Sequence, residues 1–229
     1  MRWGIIAALE AELELILAAM ETERTLEAYG MRFHVGKIAG QEVVAVCCSV
    51  GTINAAACAS VLARELQAQV IVNIGVAGSA TEELDILDVV LGSEVIFHDS
   101  DIDILKKYSP YRESFPADES LIGLAQQSIA AIEGRTFNYK VGRIATGDIF
   151  VDSPEAKNDI IRRTAPLCVE MEGAAIGQIA FMSEIPFLVI RSLSDKSDGS
   201  AQLSFESFLV KAAANSSAIV LGMIEMRNG

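Results

Sequence analysis

Residues 69–75, QVIVNIG, form a β-branched apolar run ending on glycine, and no other stretch limits the fold as tightly. The run lacks the in–out alternation of a strand with one wet face. It therefore reads as a central strand covered on both sides. It leads into a turn, GVAGS, at 75–79. Other strand candidates are 3–9, the pair 31–38 and 42–48 joined as a hairpin by Ala-Gly-Gln, and then 88–97, 139–146 and 186–193. Helical segments fall at 10–20, 120–132, 154–164, 173–183 and 204–226, and Asn54 is placed to cap the helix AAACASVLAREL. The polar stretch 99–119, with Pro110 and Pro116, reads as one long irregular segment. Strands and helices alternate throughout, without a repeat or a low-complexity linker. The pattern predicts one α/β domain over 1–229, with helices on both faces of a sheet.

Composition narrows the partners. Of 229 residues, 51% are hydrophobic, enough for a large core and for a buried surface between subunits. The net charge of −13 disfavours nucleic acid and anionic membranes, whose phosphates are bound by Lys and Arg. A small neutral or zwitterionic ligand is expected instead. Cys47, Cys48, Cys58 and Cys168 show no metal-ligand spacing, and His34 and His98 lie far apart. They read as reduced thiols of a cytoplasmic protein. The apolar start runs into Glu10 and Glu12, which is unlike a signal peptide, and no window is expected to reach the roughly 20 apolar residues of a membrane helix.

Ligands of doubly wound sheets collect at the carboxyl ends of the strands. Four polar places stand there. Glu12 follows the first strand, either as part of an acidic first helical turn or as a base able to activate water. GVAGS has neither a G-x-G-x-x-G pattern nor a nearby cation, so it suits the approach of backbone to a flat ligand better than a phosphate. In VEMEGAA, strand spacing puts Glu170 and Glu172 on one side and Met171 opposite; a ribose diol would supply donors to both carboxylates, although an acidic helix start explains them equally well. Asp195 ends the apolar run FLVIRSLS, as a cap or as an acid for a purine nitrogen, with Ser194 and Lys196 beside it. Arg191, inside that run, needs a carboxylate partner.

Their order and wording resemble one family. GIIAALEAE (4–12), SVG (49–51), NIGVAGSA (73–80), FHDSDID (97–103), ATGDIFV (145–151), VEMEGAAIG (169–177), RSLSDKSD (191–198) and LSFESFL (203–209) are similar, in collinear order, to the 5′-methylthioadenosine/S-adenosylhomocysteine nucleosidases of the purine nucleoside phosphorylase superfamily. The resemblance implies a three-layer αβα domain around a mixed, twisted β-sheet, a homodimer, and hydrolysis of the bond from adenine to a 5′-thio-substituted ribose with no metal or organic cofactor. It casts Glu12 as the base on water and Asp195, beside Ser194, as the acid at adenine N7. Glu172 would hold the ribose hydroxyls, with Met171 against the sugar. Phe150 would stack on the base, Val151 would offer backbone contacts, and Ala77 and Gly78 would support it. Val50 and Phe205 would line the 5′-alkylthio pocket. The loop 103–116, with Leu105, Tyr108 and Tyr111, would cover the neighbouring subunit's pocket. Val76 departs from the serine many relatives carry. Phosphorylases of the superfamily use arginines after the first strand and near the glycine turn. This chain has AALEAEL and NIGVAGSA there, so water is the expected nucleophile. The rival readings are an aminodeoxyfutalosine nucleosidase and a non-catalytic nucleoside-binding relative.

Overall fold

The apolar run becomes the hub of a ten-stranded sheet, as strand β5 (Val70–Ser79) of a computed structural model that describes residues 1–227. The other strands are β1 (Arg2–Ala7), β2 (Glu21–Ala28), β3 (Met31–Ile38), β4 (Gln41–Cys47), β6 (Val89–Phe97), β7 (Ser114–Pro116), β8 (Tyr139–Thr146), β9 (Cys168–Glu170) and β10 (Phe187–Asp195). The helices are α1 (Glu10–Ala18), α2 (Thr52–Arg64), α3 (Ile102–Lys107), α4 (Glu119–Ala131), α5 (Pro154–Thr164), α6 (Gly173–Met182) and α7 (Ala201–Met226).

β5 pairs in parallel with β1 on one side and β10 on the other. Beyond β1 the sheet continues through parallel β4 to the antiparallel strands β3 and β2. On the other side β10 pairs with β6, β6 with β8 and β8 with β9, and β9 returns to pair with β5 at Gly78 and Ser79. Five strands thus close into a ring that draws the ends of β5, β9 and β10 together. Period-two burial follows from central placement: Val70, Val72 and Ile74 face the layer of α1, α4 and α7, whereas Ile71 faces that of α2 and α6. The architecture is the three-layer αβα fold with a mixed sheet.

Several local expectations change. GVAGS is not a turn but the last half of β5, held extended by β10 and β9. Strand β2 was not expected, because ETERTLEA is exposed along nearly its whole length and carries no apolar alternation; pairing with β3 at the sheet edge makes it a strand. The stretch 99–119 is not uniformly irregular but holds α3 and β7. Asn54 does not cap α2. Gly51 is the N-cap residue, and Asn54 sits inside the helix, donating to the Val50 carbonyl at 2.8 Å. Finally, α7 is long and apolar enough by length and composition to cross a membrane, contrary to expectation. Its Ile219, Val220, Met223 and Ile224 are buried in the core shared with α1 and α4, the placement of a core helix.

Candidate active site

The carboxyl ends of β1, β5, β9 and β10 open into a cavity of about 450 Å³. All twelve residues singled out from sequence border it: Glu12, Val50, Ala77, Gly78, Phe150, Val151, Glu170, Met171, Glu172, Ser194, Asp195 and Phe205. The Met171 expectation needs correction. The strand ends at Glu170, so strand alternation does not extend to Met171, and Met171 lines the cavity together with Glu172.

Glu12 is buried in the first turn of α1. Its Oε2 accepts the N–H groups of Ala8 (3.0 Å) and Leu9 (2.9 Å), and its Oε1 accepts that of Val76 (2.9 Å). Val76 therefore contributes through backbone, which makes its side-chain departure immaterial to this contact. Burial raises the Glu12 pKa, against the opposing pull of Arg191 and of these N–H groups. The α7 residue Ser217 also donates to the Glu12 carbonyl, at 3.1 Å.

Glu170 is the partner that Arg191 required. Its Oε2 receives Arg191 Nε at 3.2 Å and also Nη2. The same carboxylate accepts the Thr146 hydroxyl and the N–H groups of Glu172 (3.1 Å) and Gly173 (2.8 and 3.0 Å), so it anchors the start of α6. Both oxygens are engaged inside the protein. Glu170 thus forms the wall and supports its neighbours, and the pairing of both glutamates with a diol does not hold. Asn73 was missed by sequence reading because it hides in an apolar run. It braces Arg191 Nη2 at 2.6 Å and bonds the Ile6 carbonyl at 2.9 Å.

Glu172 is buried, with Oε1 accepting the Gly51 N–H at 2.9 Å and Oε2 lying 3.4 Å from Arg191 Nη2. Burial and the neighbouring Glu170 push its carboxyl up to about 7. Asp195 closes β10; its Oδ2 accepts the Ser194 hydroxyl and its Oδ1 the Ser197 N–H, both at 2.8 Å. Burial raises its pKa too, which favours the protonated form that an acid needs.

Two glycines show how closely β5 approaches these groups. A Cβ on Gly75 would stand 2.7 Å from both Glu12 Oε1 and Arg191 Nη1, and one on Gly78 would stand 2.0 Å from Ser197 Oγ and 2.8 Å from Asp195 Oδ1. Glu12 and Asp195 thus stand at two different points along β5, Glu12 beside Gly75 and Asp195 beside Gly78.

The mouth is apolar. Phe150 and Phe205 meet edge to face at 6.1 Å between ring centroids, and Ile149 and Leu209 join them. Sequence reading overlooked Leu9, Ile149, Gln202 and Leu209, apolar or neutral residues whose types carry no chemical signal. Among the described residues, no lysine or arginine borders the cavity. Tyr108 and Tyr111 are exposed and do not line this chain's own cavity.

The αβα fold and the apolar, aromatic-rimmed cleft at the strand ends place the chain in the phosphorylase superfamily, whose family model matches residues 2–225. The chain is 35% identical to the 5′-methylthioadenosine/S-adenosylhomocysteine nucleosidase of Aeromonas salmonicida, over 98% of this chain and 99% of that one. The crystal structure of the Neisseria meningitidis nucleosidase of the same name, in complex with methylthio-immucillin-A, superposes with a TM-score of 0.93 at 33% identity, covering 98% of this chain and 99% of the other. A futalosine hydrolase from Helicobacter pylori is also similar in structure, with a TM-score of 0.90 at 26% identity and 99% of each chain covered. This chain belongs to the 5′-methylthioadenosine/S-adenosylhomocysteine nucleosidase family.

Proposed function

We infer that the protein hydrolyses the N-glycosidic bond of 5′-methylthioadenosine and S-adenosylhomocysteine, releasing adenine and the 5′-thio-substituted ribose. The observation that carries this reading is the placement of Glu12 and Asp195 along one cavity, with Glu172 in the same wall. Asp195 delivers a proton to adenine N7 as the bond from N9 to C1′ breaks and its electron pair passes into the purine. The sugar then gains oxocarbenium character. Glu12 takes a proton from water while the water oxygen bonds C1′ from the opposite face, which inverts that carbon. Each acid or base step contributes about 10²–10⁴-fold. Glu172 accepts a ribose hydroxyl, Met171 packs on the sugar, and Phe150 stacks on the base while Val151 offers its backbone. Ala77, Gly78 and Ser194 shape the purine end; Val50 and Phe205 enclose the 5′ group. Phosphate is not the nucleophile, because a dianion would meet Glu12 and Glu172 on a wall that carries no lysine or arginine among the described residues.

A longer 5′ tail is the second reading, supported by the likeness to the futalosine hydrolase and by the amide of Gln202 at the cavity. The protein acts as a homodimer, with the exposed Tyr108 and Tyr111 of the segment 103–116 reaching the partner's cavity. Four free thiols fit a reducing, cytoplasmic setting. The deciding experiment follows adenine release from 5′-methylthioadenosine with and without phosphate. Phosphate-independent release supports hydrolysis; phosphate-dependent release, or none, overturns it.

A further inference from the structure

The Thr52 end of α2 is held by one remote carboxylate. Asp148 lies in the exposed loop after β8, yet its Oδ1 accepts the Thr52 N–H at 2.7 Å and its Oδ2 the Thr52 hydroxyl at 2.5 Å. Its own N–H donates to Asp99 Oδ2 at 2.7 Å, which ties the loop to the end of β6. Helices α3, α4 and α5 are capped by the residue just before them, Asp101, Asp118 and Ser153. Helix α2 follows Gly51, which has no side chain to cap it, and the cap comes from a residue 96 positions away.

The two segments joined in this way both border the cavity. One carries Ile149, Phe150 and Val151; the other carries Val50 and the Gly51 N–H that holds Glu172 Oε1 at 2.9 Å. We propose that Asp148 is a positioning residue for the hydrolysis, clamping the loop that walls the base to the loop that sets Glu172. The proposal rests on the nucleosidase reading. Asp148 itself touches no reacting atom. Without it, the Gly51 N–H is held less firmly against Glu172, whose other charged neighbours are Glu170, Arg191 and Glu12. Glu172 then loses a donor that favours its ionised form.

The test uses the full chain with Asp148→Ala, Asp148→Asn and Thr52→Val. Misplacement of one wall lowers kcat/KM by roughly ten- to a hundredfold in Asp148→Ala, and the acidic limb of its pH profile moves upward. Asn keeps an acceptor for the Thr52 N–H and a donor for its hydroxyl, so Asp148→Asn recovers most of the loss. Thr52→Val, which keeps only the backbone bond, falls between. A cap with a purely structural role lowers the melting temperature while leaving kcat/KM and the pH limb at wild-type values, and that result overturns the proposal. Equal impairment of the Ala and Asn variants also overturns it. If the wild type binds 5′-methylthioadenosine without cleaving it, the catalytic reading falls alone. Asp148 is then judged by calorimetric affinity, which drops in Asp148→Ala and returns in Asp148→Asn; unchanged affinity rejects the assignment. No binding by the wild type overturns both.

Discussion

Glu170 and Arg191 form a buried ion pair beneath the cavity, with Nε 3.2 Å from Oε2 and both side chains almost wholly enclosed. The guanidinium would be weakened by burial, but Glu170, Glu172 and Glu12 together hold its pKa above the ordinary value. Removing Glu170 leaves a buried cation short of its closest partner and also strips the start of α6 of its acceptor. Glu170→Ala is expected to cost about 3–5 kcal/mol. Urea denaturation measures this directly, and a loss below about 1 kcal/mol would show that the pair is dispensable.

Asp195→Asn keeps the volume and the bond to Ser194 but removes the transferable proton. Adenine release should fall by about 10²-fold or more while the thermal transition stays near that of the wild type. Near-normal turnover by this variant removes Asp195 from the acid role.

As the proposed ribose ligand, Glu172 should make activity and stability respond oppositely to pH. Its ionised form is the stronger acceptor for a ribose hydroxyl, so kcat/KM should decline as pH falls through about 7. Its folded pKa lies above the ordinary 4.5, so its stabilising contribution is complete below pH 4.5 and is lost as pH rises through about 7. Glu172→Gln should therefore raise stability at pH 8 by roughly 1–3 kcal/mol while weakening nucleoside binding. Denaturation curves at pH 5.5 and 8 test the sign: a variant less stable than the wild type at pH 8 contradicts it.

Gly78→Ala forces a methyl group to within 2.0 Å of Ser197 Oγ and 2.8 Å of Asp195 Oδ1. Something must shift, and Asp195 is one of the two neighbours. The expected outcome is a loss of at least about tenfold in kcat/KM for about 1–3 kcal/mol of stability. A full-activity variant would show that Asp195 tolerates displacement.

The layers of the fold were legible because buried strands and amphipathic helices write their periods into sequence; β8 and α5 appear where their patterns put them, and β5 starts where its pattern does. The cavity was legible through polar residues that a core does not need: Glu12, Glu170, Glu172, Ser194 and Asp195 all converge on it, whereas Lys196 turns away to Leu84 and Asp85. Pairing was less visible. Nothing local in ETERTLEA signals an edge strand, because its ladder comes from β3. Likewise the division between Glu170 and Glu172 depends on where β9 stops and on an arginine 21 residues further on. The remote cap on α2 lies beyond any local rule, since its donor and acceptor are 96 residues apart.

Helix α7 has one more consequence. Its first turns, with Gln202, Phe205 and Leu209, border the cavity and are mostly open to solvent, whereas Ser217 grips the Glu12 carbonyl from inside the core. Rim and chemistry are thus carried on one rod, separated by about three turns. Exchanges on the rim can refit the enzyme to a bulkier or more polar nucleoside tail without disturbing the machinery below. A single scaffold can in this way diversify among substrates while its bond-breaking apparatus stays unaltered.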